Sequence, residues 1–289
     1  MTRQPILLDP FQGVGAGQRA TLNIAPGYRY HELCLNLATT LVAGTAITST
    51  STQFANDVAL TELVIANKVQ RRYTGEQLVM LTQFIGETFR ANFLHIPFSE
   101  KDRATIFGEE ALAWGTMGLS NPAFQLKCTM ASGIYISTFQ VFAERDVLNT
   151  PIGSIVKTYE TTIQVSAAGV VTWNPDYSRG DKIRRVHIKD NGTITAAQVY
   201  ANNVLEYDVT AASNIERLKR AGFVPQTTYG YFHIVHDIDK QVLSNMDTAR
   251  PVNPAKPNDL FLLNSLAYRL TFSSSGNYTA LVEVIGPPD

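Results

Sequence analysis

The sequence predicts an all-β protein of two tandem eight-stranded jelly rolls, each with one short internal α-helix. Three observations carry that reading. Short alternating or β-rich runs bounded by Gly, Pro, Asn and Ser recur along the chain, at residues 32–37, 60–65, 124–128 and 281–285. Clear helical spacing of apolar residues appears only at residues 76–85 and 214–221. Finally, the two halves carry the same landmarks in the same order.

In chain order, a strand at residues 20–24 is followed by Pro26-Gly-Tyr28, and a strand at 170–173 is followed by Pro175-Asp-Tyr177. Ala66-Asn-Lys-Val69 then matches Ala201-Asn-Asn-Val204. A helix follows each. Thr74 with Gln77 can form a capping box and Gly86 can close the first; Ser213 with Glu216 and Gly222 serve the second. Thr74 to Gly86 and Thr210 to Gly222 span the same 12 residues. Phe93-Leu-His-Ile96 then matches Tyr231-Phe-His-Ile234. Each half next makes a Pro-containing excursion. It returns on a strand at 124–130 or 266–272 and ends on one at 135–142 or 278–285. The offset between halves drifts, as insertions in surface loops make it drift. A single shared turn would be chance, but six landmarks in order indicate a duplicated β domain.

Eight strands in about 140 residues suit a jelly roll, two facing antiparallel sheets. Alternation buries one face of each sheet, so Leu33, Leu35 and Leu37 face the core, with Leu126 or Cys128 and Met130. The first roll is assigned to residues 1–150, of which 1–18 form an N-terminal arm. The second is assigned to 151–289, of which 151–168 form a linker region with a Thr-rich extended run.

Composition narrows the function. The 289 residues have 45% hydrophobic and 17% charged side chains and a net charge of −1. The low charge fits a surface hidden against partners, since soluble domains average about 25%. Neutrality excludes a specific nucleic-acid footprint, and Arg71-Arg72 and Arg184-Arg185 are too short to track a phosphate backbone. No apolar run approaches the roughly 18 residues of a membrane helix, and the N-terminus reads without a secretory signal. Cys34 and Cys128 are expected as free thiols in a reducing compartment. The glycosylation patterns at Asn191 and Asn277 read as turns.

On Ala113-Trp-Gly-Thr-Met-Gly-Leu119 before a strand, Ile183-Arg-Arg-Val-His-Ile188 opening the second roll, and the strand-then-capped-helix units at 67–86 and 202–222, the chain resembles a known family. That family is the double jelly-roll major capsid proteins of tailless icosahedral bacteriophages with an internal membrane, corticovirus-like. The resemblance spans nearly the whole chain and rests on topology and spacing. It implies a structural protein of the virion capsid, assembled in the host bacterial cytoplasm. The unit would be a homotrimer, a pseudo-hexamer meeting neighbouring trimers and vertex proteins, with loops outward and the opposite ends toward the membrane. The arm residues Arg3, Ile6, Leu7, Leu8 and Phe11 would touch lipid or a neighbouring trimer. Stabilising calcium is compatible with such a shell.

The residues themselves carry little catalytic signal, and no catalytic, cofactor-binding or metal residue is assigned. The histidines are His31, His95, His187, His233 and His236. A bicupin metal enzyme needs two histidines two apart on a strand; His233 and His236 are three apart and point to opposite faces. Gly13-Val-Gly-Ala-Gly17 precedes a strand rather than a helix, so it reads as a turn and not a phosphate loop. Asp237, Asp239 and Asp247, with Asp57 and Glu62 in another loop, could gather around Ca²⁺, but no calcium-loop pattern is present and they read as solvated charges. The remaining alternative is a two-domain β-sandwich carbohydrate-binding protein, which would need Trp114 or Trp173 on an exposed platform.

Overall fold

The computed structural model describes residues 3–40, 50–90, 92–100, 106–175, 180–240, 245–253, 256–263 and 265–289. The chain forms two compact units, residues 1–156 with 287–289 and residues 157–286.

The first unit contains β1 (Gln4–Leu7), β2 (Arg19–Asn23), β3 (Arg29–Thr40), α1 (Ser51–Asp57), β4 (Val58–Ile65), β5 (Lys68–Tyr73), α2 (Gly75–Phe84), β6 (Phe93–Pro97), α3 (Ile106–Glu110), β7 (Trp114–Gly115), β8 (Phe124–Met130) and β9 (Tyr135–Asp146). One sheet has the order β1-β9-β3-β6, with β7 also on β3, and the other has β2-β8-β4-β5. The pairings are antiparallel. Inward alternation works as expected on β3, where Leu33, Leu35 and Leu37 are fully buried. On β8, Phe124, Leu126, Cys128 and Met130 are all buried. Leu126 and Cys128 therefore face the core together, two residues apart on one face.

The second unit contains β10 (Ile155–Val165), β11 (Gly169–Trp173), β12 (Lys182–Lys189), β13 (Ile194–Ala201), β14 (Val204–Thr210), α4 (Ala211–Arg220), β15 (Tyr231–Val235), β16 (Met246–Asp247), β17 (Ala249–Asn253), β18 (Lys256–Leu262), β19 (Leu266–Phe272) and β20 (Gly276–Gly286). Its sheets have the orders β10-β20-β12-β15, with β16 on β12, and β11-β19-β13-β14; β17 and β18 form a separate hairpin. Strand for strand, this repeats the first unit. In both, the first strand pairs with the last, and the helix α2 or α4 leads into the strand that pairs with the third. The duplication read from spacing is thus a duplication of topology. A β-bulge between Ile183 and Arg185 takes up one residue, so Ile183, Val186 and Ile188 all reach the core.

The helix ends show where local chemistry was legible. Thr74 accepts from the Gln77 N–H (3.2 Å), and Gln77 Oε1 accepts from the Thr74 N–H (2.8 Å). Helix α4 starts a turn earlier than its expected Ser213–Glu216 box. Thr210 is the cap, and Ser213 supplies the reciprocal bond (3.2 and 2.9 Å). This is the position equivalent to Thr74. Gly86 and Gly222 adopt φ of +88° and +81° beyond the two helices. The first unit holds more helix than expected, because α1 and α3 lie in its loops. Helix α1 is capped by its own Thr50–Gln53 box and packs on α2. A Cβ at Gly75 would come within 2.6 Å of the Phe54 carbonyl, so α2 can start there only with glycine.

Three further readings change. Residues 4–7, expected in a free arm, form β1 along β9, and Phe11 stacks on Phe139 with centroids 4.0 Å apart. The Thr-rich run in the expected linker is β10. Asn277, expected in a turn, lies in strand β20, whereas Asn191 does sit in the β12–β13 turn with φ of +51°. In the landmark Pro175-Asp-Tyr177, residues 176 and 177 lie outside the described residues.

Candidate functional site

The motif at residues 113–119 closes the first unit. Trp114 and Gly115 pair with Tyr30 and Arg29 of β3. Trp114 is buried, stacks on Phe98 with centroids 4.5 Å apart, and lies under the Arg71 guanidinium at 5.3 Å. Arg71 also donates to the carbonyls of Val156 and Pro97, both at 2.7 Å. Thr116 Oγ1 accepts from the Gly27 and Tyr28 N–H groups (2.9 and 3.0 Å) and donates to the Tyr28 carbonyl (2.6 Å). The motif therefore ties the Pro26-Gly-Tyr28 turn to the sheet. Gly115 is required there, since a Cβ would lie 2.3 Å from the Thr150 carbonyl oxygen. Beside it, Asp146 accepts from Arg29 Nε (3.0 Å) and meets His31 Nε2 (2.8 Å). Burial pushes the Asp146 carboxyl up, but Arg29 and His31 outweigh it and hold it below its ordinary range.

The second unit has a buried polar centre on the outer face of its first sheet. Arg184 Nε donates to Asp237 Oδ2 (2.9 Å), and Arg185 donates through Nε to Oδ1 (2.9 Å) and through Nη2 to Oδ2 (3.0 Å). Arg185 also lies 4.9 Å over the Phe223 ring. One buried carboxylate thus faces two guanidinium groups, which keep it ionised against the pull of burial. Next to this clamp, His187 and His233 face each other across β12 and β15, with Nδ1 atoms 2.7 Å apart. The Gln226 N–H donates to His233 Nε2 (3.0 Å). In the neutral ring the proton is then on His233 Nδ1, which donates to His187 Nδ1. That leaves the His187 proton on Nε2, 3.7 Å from Glu283 Oε2. Burial pushes both imidazoles below their ordinary value. It pushes the Glu283 carboxyl up, but His187 and both arginines hold that group low. Asn214 of α4 donates to the His233 carbonyl (2.6 Å) and accepts from Tyr207 (2.6 Å), which fastens the helix to the sheet. A cavity of about 110 Å³ lies beside His233, lined by Ile194, Ile215, Leu218 and Phe232 among others.

The other sequence candidates separate. His236 bonds Tyr268 (2.9 Å) and is pushed down to about 4 by burial. His95 bonds Glu32 and approaches Cys34. Residues 13–17 form the turn into β2, with Gly13 and Gly17 at positive φ. The carboxylates do not gather: Asp237 is clamped by arginines, Glu62 meets Arg19, Asp247 meets Lys182 at 3.0 Å, Asp57 accepts from Thr39, and Asp239 is exposed. Among the described residues, no group of three His, Cys, Asp or Glu is placed to hold a metal ion. Trp114 and Trp173 are both buried in their cores and form no surface platform. Arg71 of one basic pair and both Arg184 and Arg185 of the other are buried in structural contacts. The Ile183–Ile188 motif is the third strand of its unit rather than the first. Sequence reasoning missed Glu283 and the Asp237 clamp, because each partner comes from a distant strand or loop.

These contacts fasten loops and a helix to the sheets. A family model described as the viral coat protein P2 N-terminal domain matches residues 5–145, and one described as the viral coat protein P2 C-terminal domain matches residues 155–288. The fold is similar to the major capsid protein P2 from bacteriophage PM2, with TM-score 0.80 and 15% identity over 100% of this chain and 98% of that one. It is also similar to the STIV MCP, with TM-score 0.70 and 12% identity over 100% and 98% of the two chains. A third similar structure is PBCV-1 VP54, with TM-score 0.60 and 9% identity over 98% and 93%. Comparison with curated protein sequences finds no match.

Proposed function

The chain belongs to the viral coat protein P2 family, capsid proteins of double jelly-roll build, and from that premise we propose that as the major shell protein it assembles as a homotrimer tiling an icosahedral shell over an internal membrane. The observation that carries this reading is the strand order repeated in the two units. Three copies of a chain with two like rolls supply six like units under closed threefold symmetry, the shape that packs a flat facet. Neighbouring trimers and vertex proteins then complete the shell within the virion, with assembly in the host bacterial cytoplasm.

The work in the shell is mechanical. The polar centres fix loops and helix to the sheets, so each roll presents a constant surface. Partners meet that surface on edge strands and loops. Val204 and Leu205, on the end strand β14, are 59% and 45% exposed, and Val170 on the opposite end strand β11 is 65% exposed. Apolar groups on sheet edges suit burial against another copy. Of the arm residues Arg3, Ile6, Leu7, Leu8 and Phe11, Leu7 is 52% exposed on the end strand β1, which leaves this edge available to lipid or a neighbouring trimer.

Light scattering on the purified protein tests the reading. A single species at three times 31.8 kDa, about 95 kDa, is expected. A monomer across micromolar concentrations would overturn it. A fall in mass on adding a chelator would assign calcium to the contacts between copies.

A further inference from the structure

On the first unit, three reactive side chains share one face of a sheet. Cys34 of β3 and His95 of β6 stand directly opposite in register, and Glu32 lies two residues before Cys34. The Cys34 Sγ is 3.9 Å from His95 Nε2. The other ring nitrogen, Nδ1, is bonded to Glu32 Oε1. The Glu32 side chain is 6% exposed, that of His95 32% exposed, and Cys34 is partly exposed. A carboxylate only accepts, so Nδ1 carries a proton and donates it to Glu32, and Nε2 is the ring nitrogen that faces the thiol. The bond to Cys34, then that to Glu32, pushes the ring up to about 10, so at pH 7 the ring is an imidazolium with a proton on each nitrogen.

From this geometry we propose that Cys34, His95 and Glu32 form a thiol-exchange site that accepts a small disulfide. Cys34 is the nucleophile, protonated His95 is the cation that holds its thiolate and the acid for the departing sulfur, and Glu32 is a positioning residue that fixes the ring through its Nδ1–H. The Cys34 proton leaves to water, which returns one to Nε2 at the end, and Sγ, held by the Nε2–H, attacks one sulfur of the disulfide. A new S–S bond forms to Cys34 and the old one breaks. The departing thiolate takes the proton from Nε2 and leaves as a thiol, so no further oxidant or reductant is needed. Two other chemistries fit less well. The ring nitrogens lie on opposite edges, so Cys34 and Glu32 cannot share one metal ion through His95. Acyl transfer needs backbone N–H groups free to stabilise an oxyanion, and β3 is paired on both sides, with β9 and β6. Cys128 provides an internal contrast: fully buried, it is pushed up to about 12.

The test is the rate at which an aromatic disulfide that releases a coloured thiolate labels the native protein at pH 7. One fast equivalent per chain is expected, at least about tenfold faster than for the same chain unfolded in urea, and absent in Cys34→Ser. His95→Gln is expected to slow it about tenfold or more, and bis(2-hydroxyethyl) disulfide to leave an adduct on Cys34 by mass spectrometry. Glu32→Gln is expected to lower the His95 titration, followed by NMR, by on the order of one pH unit. A native rate no faster than the unfolded one would overturn the proposal, even if the variants fail to fold. So would an unchanged rate in a folded His95→Gln.

Discussion

At the residue scale, stability concentrates in buried charge clusters whose members hold one another. Asp237 is the carboxylate shared by two buried guanidinium groups, so Asp237→Asn removes the charge that holds them together. The expected loss is roughly 3–5 kcal/mol, read from urea unfolding. Loss below 1 kcal/mol would show the clamp to be open to solvent. The histidines make the protein acid-sensitive. His236 falls to about 4 in the fold against an ordinary 6.5, and His187 and His233 fall as well. The unfolded chain therefore binds protons that the folded one refuses. Their contribution is complete above about pH 6.5 and is lost as pH drops toward 4. Thermal melts from pH 7 to 4 should show this decline, and His236→Gln should make it shallower. An equal decline in both proteins would remove His236 from the account.

At the element scale, capping and glycine geometry set where strands give way to helix. Thr74→Ala and Thr210→Ala should each cost about 1 kcal/mol, because each hydroxyl accepts an otherwise unpaired N–H of the first turn. Gly115→Ala should cost more, about 1–3 kcal/mol, because its Cβ would press on the Thr150 carbonyl. Chemical denaturation of each variant checks both values, and a near-neutral Gly115→Ala would mean that the 150 loop yields. Much of this level was legible in the sequence. The alternation on β3 and β8, the helix α2 and the repeated His-Ile strands are local patterns. The start of α4 was misread because Glu216 in the favoured box position competed with Ser213, and Ser213 bonds Thr210 instead. Helix α1 carries too little apolar periodicity to be seen. Strand β1 looked like an arm because nothing local reveals its pairing with β9, more than 130 residues away. Shorter but still non-local separations, 53 and 52 residues for Asp237 and its arginines, likewise hid Asp237 from them and Glu283 from His187.

At the scale of the whole molecule, one β topology is used twice, and each copy solves its outer sheet face differently. At matching registers, the first unit sets Cys34 against His95 and the second sets His187 against His233. The second pair is buried, and the first is partly open to solvent. Duplication thus preserves the scaffold while leaving its surfaces free to diverge. The proposed trimer would use this, since it would present six similar but unequal sides to its neighbours. The central claim is that this chain forms such a six-lobed tile from three copies. Electron microscopy of the purified particle tests it most directly. Class averages with a hexagonal outline, six lobes and threefold symmetry are expected. A single two-lobed particle, or a dimer with twofold symmetry, would contradict it.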